Sequence, residues 1–318
     1  MRVDVERGAV SGWDGWWIRR GPLELGLVPG VGGRLLSLRW RGHELSFVPP
    51  AHAGRRPPIA HDVDPAAVKR ELGFVHWGGD KTWLSPQERW VEAMPFFDLD
   101  SGAYALEVER DDGREARVSM RSPVCREVGA ELTRTITVRA DAPDFTVEHV
   151  LRNASAHAIA WGLWDVHQVN GPGVAYLPRR ANSAFRDGVQ AYPAEGDSEG
   201  ARTDVVRLMG DVVAIDCRRP RWFKFGVDAD EGWALGLIET AGGLVGYRKD
   251  VPVVAGGVYG HGCVSEVYNS PDQPYFELEA HGPVVTLRPD ATTRLVERRH
   301  VFDVGAWPGT GAAVRALG

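Results

Sequence analysis

The apolar residues of this chain recur at every second position over short runs, and this pattern constrains the fold more than any other feature. Leu23, Leu25 and Leu27, for example, alternate with Glu24 and Gly26. Such period-two runs are typical of β-strands. The runs end at turn-forming residues, which are plentiful in this chain of 318 residues with 38 glycines and 21 prolines. The sequence therefore predicts a series of short strands arranged as a sandwich or a barrel.

Two local signals refine this prediction. Asp112 and Gly113 separate two alternating runs and fit a tight hairpin turn. The stretch "DPAAVKREL" predicts the one clear helix, with Asp64 as its N-cap and Pro65 at its first position. Because no segment has the composition of a linker and no repeat is present, we expect a single domain over residues 1–318.

Charge and cysteine content exclude several classes of function. The 37 basic and 43 acidic side chains give a net charge of -6, which argues against nucleic acid as a partner because phosphate binding needs a basic surface. Cys125, Cys217 and Cys263 are too far apart to indicate a disulfide framework or a metal site. No apolar run approaches the roughly 18 residues that span a bilayer, and no signal-peptide segment is found. We expect a cytoplasmic monomer or homodimer that binds neither membranes nor nucleic acid.

The segment "FVHWGGDKTW", residues 74–83, combines polar side chains, two tryptophans and a Gly-Gly pair. It lacks the glycine spacing and the strand–loop–helix setting of a phosphate loop, and no further metal ligands are near. Two alternatives stay open. The segment is either an ordinary turn with buried tryptophans or the floor of a sugar pocket, where rings cover C–H faces and polar groups bind hydroxyls. The candidate binding residues here are His76, Trp77, Asp80, Lys81 and Trp83.

The segment "WGLWDVHQV" provides a candidate for proton transfer. In a strand, Asp165 and His167 share one face, while Trp164 and Gln168 share the other. An imidazole titrates near neutral pH, and a carboxylate beside it can hold it in the charged form. A histidine with a purely structural role at this position is the alternative.

The segment "YFELEAHGP" places Glu277 and Glu279 on one face of a strand. Acidic side chains on a buried face are costly unless they are paired or used, whereas on a solvent face they are ordinary. The sequence leaves both possibilities open. Glu266 lies on the preceding predicted strand and could pair across with this one. We expect His261, which lies among glycines in "YGHGC", to be a loop residue and not a ligand.

The order of these segments resembles that of the galactose mutarotase-like superfamily, which includes the aldose 1-epimerases. "GGRLLSLRWRGHELSF" is similar to the opening hairpin of an aldose 1-epimerase, and "VHWGGDKTW" is similar to a His-Gly-Gly segment that contacts the sugar. "VLRNASAHAIAWGLWDVHQV" resembles the strand pair that ends in the acid histidine. "YFELEAHGPVVTLRPDATTRLVERRHVF" resembles the closing strands with the base glutamate. The third of these segments matches the less characterised branches of the superfamily better than the true mutarotases.

The resemblance implies an all-β super-sandwich of antiparallel sheets with few short helices. It also implies an enzyme that interconverts sugar anomers by acid/base chemistry, without a metal or an organic cofactor. Carried over by position, the roles are His76 as a substrate contact, His167 as the acid and Glu279 as the base. Glu277 is the reserve candidate for the base and a further substrate contact, and Trp164 is a candidate ring surface.

Two other functions stay open. One is a different acid/base reaction on a glycoside or sugar-like substrate, such as elimination, hydrolysis or another isomerisation. Elimination would need cations that neutralise a carboxylate, and Lys81, Arg89 and Lys224 would have to converge for this purpose. The other is a sugar-binding module without turnover, which would have the aromatic side chains but no acid–base pair with displaced pKa values.

Overall fold

The computed structural model describes residues 1–55, 64–193 and 197–317. The strands are β1 (Asp4–Val10), β2 (Trp13–Arg20), β3 (Leu23–Val28), β4 (Arg34–Trp40), β5 (His43–Glu44), β6 (Asp80–Ser85), β7 (Ala105–Asp111), β8 (Glu115–Arg121), β9 (Ala130–Arg139), β10 (Asp144–Asn153), β11 (Ile159–Asn170), β12 (Gly173–Pro178), β13 (Gln190–Ala191), β14 (Val206–Leu208), β15 (Val212–Asp216), β16 (Phe223–Val227), β17 (Trp233–Thr240), β18 (Gly243–Asp250), β19 (Ser265–Asn269), β20 (Tyr275–His281), β21 (Val285–Leu287) and β22 (Thr292–Val304). The α-helices are α1 (Pro65–Leu72), α2 (Phe97–Asp100), α3 (Ser198–Val205) and α4 (Gly311–Arg315). Short 3-10 turns cover Pro50–His52, Gln87–Arg89, Val91–Ala93 and Arg186–Gly188.

The strands form two antiparallel sheets. The first sheet has 12 strands in the order β1-β2-β3-β4-β6-β11-β20-β19-β16-β13, with β5 paired to β4 and β21 paired to β11. The second sheet has 10 strands in the order β14-β15-β12-β17-β18-β22-β10-β9-β8-β7. The largest apolar core joins both sheets, with Leu25 and Leu278 from the first and Ile136 and Tyr247 from the second. This architecture confirms the predicted antiparallel β super-sandwich.

The local predictions agree with the structure, but three helices were missed. The hairpin of β7 and β8 turns at residues 112–114. Helix α1 follows Asp64, whose Oδ1 accepts a hydrogen bond from the backbone N–H of Ala66 at 3.3 Å. Helices α2, α3 and α4 were not predicted. Asp197 caps α3 by accepting from the N–H of Gly200 at 2.7 Å, and this N-cap was the signal available in the sequence. Within the described ranges, no helix combines the length and the apolar character needed to cross a lipid bilayer.

The centre of the first sheet is covered on both faces. In β10 of the second sheet, buried and less buried residues alternate along the whole strand. In β6 and β20, by contrast, every residue is buried. Successive side chains of a strand point to opposite faces, so neither face of the first sheet is open to solvent here. Polar side chains on either face of these strands therefore need partners within the protein.

Six charged side chains between the two sheets meet this need on the inner face. We call them the core ion cluster: Asp80 of β6, Asp165 of β11, Arg134 of β9, Lys249 of β18, and Glu297 and Arg299 of β22. All six side chains have an exposed fraction of 0%. Three carboxylates thus face three cations, so the formal charge of the cluster is balanced.

Arg299 is the centre of the core ion cluster. Its guanidinium nitrogens lie 2.7 Å from Asp80 Oδ2, 2.9 Å from Asp165 Oδ1 and 2.9 Å from Glu297 Oε2. Asp80 and Asp165 belong to the first sheet, whereas Arg299 belongs to the second. Its ion pairs therefore fix how the two sheets face each other.

His167 also lies on this inner face. Its side chain has an exposed fraction of 0%, its Nε2 is 2.9 Å from Ser46 Oγ, and its Nδ1 is 2.9 Å from the hydroxyl of Tyr247. The prediction that Asp165 and His167 share one face is confirmed, but that face is the interior of the sandwich. Burial lowers the pKa of His167 well below 6.5, and Arg299 lowers it further. His167 is therefore a neutral residue of the core, and its expected role as the acid stays a prediction.

We expect Arg299→Met to lower the free energy of unfolding by about 3–5 kcal/mol, because it leaves three buried carboxylates short of a cation. Urea unfolding at pH 7 measures this loss. The matched control is Arg298→Met on the same strand. Arg298 is 69% exposed and pairs with Asp144 at 3.2 Å, so its loss should change stability by less than about 1 kcal/mol. Equal losses in the two variants would contradict the central role of Arg299.

The neutral state of His167 predicts a pH dependence of stability. Below pH 6.5 the unfolded chain binds a proton at this histidine, whereas the folded chain does not, since its pKa is lowered. The contribution of neutral His167 to the free energy of unfolding is therefore fully present above pH 6.5 and is lost as the pH falls below this value. Between pH 7 and pH 5 the loss from this residue should be about 2 kcal/mol. Between pH 7 and pH 5, the free energy of unfolding should therefore fall about 2 kcal/mol less in His167→Gln than in the wild type. An identical decrease in both proteins would contradict the assignment.

Candidate functional site

A Gly-Gly turn before β6 determines on which face of the first sheet each side chain of β6 lies. Gly78 and Gly79 both have positive φ, at 83° and 65°, and a Cβ on Gly78 would lie 2.4 Å from the carbonyl oxygen of Phe47. Only glycine adopts this geometry at this close approach without strain. After the turn, Asp80 points inward to the core ion cluster and Lys81 points to the outer face. The Gly-Gly turn of "FVHWGGDKTW" therefore places Asp80 on the inner face and Lys81 on the outer face.

Asp80, Trp77 and Arg89, all predicted sugar contacts, lie away from the outer-face polar residues described below. Asp80 is paired with arginines inside the sandwich. Trp77 has an exposed fraction of 2%, belongs to a separate apolar cluster, and donates its Nε1–H to Ser101 Oγ at 2.9 Å. Arg89 is exposed and donates to the carbonyl oxygen of Ala160 at 3.0 Å. These three residues therefore have their partners outside the outer-face polar group, and their expected contacts with a substrate stay predictions.

The outer face of the first sheet has a second polar group, which contains five of the predicted site residues. We call it the outer-face cluster: His76, Lys81, Gln168, Lys224, Glu266, Glu277 and Glu279. Gln168 was missed as a site residue, although strand alternation places it on the face opposite His167. The pairing expected for Glu266 is confirmed, because it lies directly opposite Glu279 in the register of β19 and β20.

The amide of Gln168 holds two of the candidate functional groups together. Its Nε2 donates to Glu277 Oε1 at 2.8 Å and also contacts His76 Nε2. An amide nitrogen is only a donor, so His76 Nε2 accepts and the ring proton is assigned to Nδ1. Burial lowers the pKa of His76 to about 4, and Lys81 acts in the same direction. His76 is therefore a neutral imidazole with a donor Nδ1–H at neutral pH.

Glu277 is the ionised and accessible carboxylate of the cluster. Burial alone would raise its pKa, but Lys81 and Lys224 outweigh burial and lower it. Lys81 Nζ lies 3.0 Å from Glu277 Oε1. The side chain of Glu277 is 10% exposed, whereas that of Glu279 is 0% exposed. A ligand that enters from solvent would therefore meet Glu277 before Glu279.

Neighbouring side chains enclose the carboxyl group of Glu279. Its Oε2 accepts from Trp164 Nε1 at 2.8 Å and from Lys224 Nζ at 2.9 Å. Lys224 Nζ also lies 2.8 Å from Glu266 Oε2 and 4.7 Å from the centre of the Trp164 ring. Burial raises the pKa of Glu279 to about 8, against the opposing effect of Lys224. Glu279 therefore anchors Lys224 and Trp164 beneath the cluster.

Aromatic rings surround the cluster, but they differ in exposure. Trp83 is 8% exposed and donates its Nε1–H to Asp100 Oδ1 at 2.7 Å, and Lys81 Nζ lies 4.5 Å from its ring. Phe74, with its ring 5.9 Å from that of His76, is 47% exposed. The ring that is open to solvent is therefore beside His76, at the edge where Glu277 is accessible.

Comparison with known proteins supports the fold through structure and not through sequence. No protein-family model matches the sequence, and no curated protein matches it. A putative aldose 1-epimerase from Klebsiella pneumoniae superposes with a TM-score of 0.63 at 11% identity, over 99% of this chain and 85% of that chain. A galactose mutarotase-like protein from Clostridium acetobutylicum gives a TM-score of 0.58 at 11% identity, over 95% of this chain and 99% of that chain.

A third solved structure contains this fold as one part of a longer protein. A TPR-domain containing protein from Parabacteroides distasonis superposes with a TM-score of 0.59 at 13% identity, over 96% of this chain. The present chain spans about half of that protein, 49% of its length. Identities this low establish a common fold and not common site residues. The chain has the galactose mutarotase-like fold, as the order of its segments predicted.

Proposed function

We propose that this protein is a sugar-binding enzyme of aldose 1-epimerase type, which interconverts sugar anomers at the outer-face cluster. One observation carries the proposal. The single amide of Gln168 contacts both His76 and Glu277, so that a neutral imidazole and an ionised carboxylate lie side by side at the accessible edge of the cluster. Acid/base chemistry on a neutral sugar needs a proton acceptor and a hydrogen-bond donor in this kind of proximity.

In the proposed reaction, Glu277 takes the proton of the anomeric hydroxyl group. The bond between C1 and the ring oxygen then breaks, and the Nδ1–H of His76 stabilises the negative charge that develops on the ring oxygen. Both oxygens are bonded to C1, so the carboxyl group of Glu277 can return the same proton to the ring oxygen. The open-chain aldehyde rotates about the C1–C2 bond, and closure by the reverse steps gives the other anomer.

This assignment moves the base from Glu279 to Glu277, its reserve candidate. Glu279 is fully enclosed and both Lys224 and Trp164 bond to its Oε2, whereas Glu277 keeps a small accessible surface. The exposed ring of Phe74 beside His76 is the proposed surface for the C–H face of the sugar. The remaining members of the cluster position these groups.

Elimination from an acidic sugar is less well supported than epimerisation. Such a reaction needs a free cation that neutralises the substrate carboxylate. Lys81 and Lys224 are both paired with glutamates, and Arg89 interacts elsewhere with Ala160. A neutral aldose therefore suits the cluster better.

We expect Glu277→Gln to lower the rate of anomer interconversion at least about 10²-fold, because it removes the proton acceptor but keeps the shape of the side chain. The rate can be measured by polarimetry on freshly dissolved α-glucose and α-galactose and on a panel of other aldoses. The matched control is Glu239→Gln, the same substitution at an exposed position of β17, which should leave the rate unchanged.

A second variant separates this proposal from the role predicted from sequence. His167→Gln should retain the rate at pH 7, since His167 lies inside the sandwich. Loss of activity in a folded His167→Gln variant would favour the original assignment of the acid. Rates equal to the buffer control for every aldose tested would refute the epimerase and leave a different acid/base reaction or the sugar-binding module as the alternatives.

A further inference from the structure

Two histidines and a glutamate converge next to Lys224. His261 lies in the loop between β18 and β19, Glu266 lies on β19, and His281 is the last residue of β20. One nitrogen or oxygen atom from each of the three lies within 4.8 Å of the others. His261 Nδ1 is 3.1 Å from Glu266 Oε1, and His281 Nε2 is 3.3 Å from Glu266 Oε2.

We propose that His261, Glu266 and His281 bind a divalent transition-metal ion of the zinc type. Metal–ligand bonds of about 2.0–2.2 Å in tetrahedral geometry hold the ligand atoms about 3.3–3.5 Å apart, close to the spacing of these pairs. Two imidazole nitrogens and a carboxylate oxygen suit zinc and its neighbours, whereas magnesium and calcium prefer oxygen ligands alone. Three protein ligands leave at least one position for water or for a substrate oxygen.

The state of His281 is the independent observation that points to a ligand. Its side chain is 0% exposed, yet neither ring nitrogen has a hydrogen-bond partner among residues 1–55, 64–193 and 197–317. Buried polar groups are nearly always hydrogen-bonded, so an unpartnered imidazole needs an explanation. Trp164 stacks on the ring at 5.3 Å with an interplanar angle of 18° and fixes its orientation. The contact of Nε2 with Glu266 lacks hydrogen-bond geometry, as expected for two ligands directed at a common ion.

The surroundings of Glu266 can accommodate the ion. The hydroxyl of Tyr192 donates to Glu266 Oε1 and orients the carboxylate, as outer partners of metal ligands commonly do. Lys224 is the one cation that contacts Glu266 among the described residues, and its Nζ is shared with Glu279 Oε2 at 2.9 Å. Lys224 therefore keeps its contact with the carboxyl group of Glu279 when an ion takes the charge of Glu266.

A second group of similar composition provides the contrast. His149, Asp165 and Glu297 also bring their ligand atoms within 4.8 Å of one another. Their carboxylates, however, already pair with arginine and lysine side chains of the balanced core ion cluster. An added divalent ion would meet three fixed cations there. The two groups have similar spacing but different electrostatics. We therefore assign a metal only to His261, Glu266 and His281.

The inference goes beyond the proposed function and does not depend on a sugar substrate. It also revises two expectations from the sequence, that no metal is required and that His261 is only a loop residue. The ligands stand at positions 261, 266 and 281, a spacing without the regularity of known metal-binding motifs. The fold brings them together.

The test is metal binding by the purified protein after treatment with a chelator. Co²⁺ is titrated and followed by its visible absorption, and Zn²⁺ affinity is then measured by competition with bound Co²⁺. We expect one equivalent of Co²⁺ with the spectrum of a nitrogen-ligated ion of low coordination number. His261→Ala should weaken Co²⁺ binding at least about tenfold. Mutation of residues that only hydrogen-bond to metal ligands already lowers metal affinity about tenfold or more.

The matched control is His157→Ala, the same substitution at an exposed turn, which should bind Co²⁺ as the wild type does. His281→Gln is a second variant, with circular dichroism as the check on folding. His261 is only partly buried in a loop, so the His261→Ala protein should fold even where His281→Gln does not. Absence of stoichiometric Co²⁺ binding, or equal affinity in wild type and folded His261→Ala, would overturn the proposal. The sugar assays are independent of this measurement, so either proposal can fail alone.

Discussion

The ion pairs around Arg299 determine how the rest of the structure is arranged. A buried charge without a partner is strongly destabilising, so Asp80 and Asp165 of the first sheet must face the cations of the second. This requirement fixes the inner face of β6 and of β11. Because the pairs bind residues more than 100 positions apart in the chain, they also fix the register between the two sheets.

The candidate site follows from this arrangement through strand alternation. With Asp165 and His167 turned inward, Trp164 and Gln168 must turn outward, where they meet Glu279 and Glu277. A shift of β11 by one residue would exchange His167 with Gln168 and destroy both faces at once. The core ion cluster and the outer-face cluster are therefore two sides of the same strands, and the stability of one supports the geometry of the other.

The sequence predicted the fold well because the information lies in local patterns. Alternating runs, the hairpin at Asp112 and the cap at Asp64 each depend on neighbouring residues. The alternation also grouped Glu277 with Glu279 correctly. It could not identify the inner face, since β6, β11 and β20 are buried on both sides and the usual contrast between polar and apolar faces is absent. The burial of His167 was not predictable, because the residues that enclose it, such as Tyr247 and Arg299, come from distant strands.

The two polar groups differ in their access to solvent. In the core ion cluster, carboxylates and cations are equal in number, and all six side chains have an exposed fraction of 0%. The outer-face cluster has three glutamates and two lysines, but the pKa of Glu279, raised to about 8, leaves that carboxyl group largely protonated at pH 7, so the charges are balanced there too. Glu279 Oε1 and Gln168 Oε1 are buried there without a hydrogen-bond partner within the described part of the chain. Buried polar groups without partners need an explanation, and at the accessible edge of the outer-face cluster a bound ligand can provide it. In the two proposals, a cation would bind between His261, Glu266 and His281, whereas the hydroxyl groups of a sugar would donate to the unpartnered oxygens, so the two ligands use different groups on the same face.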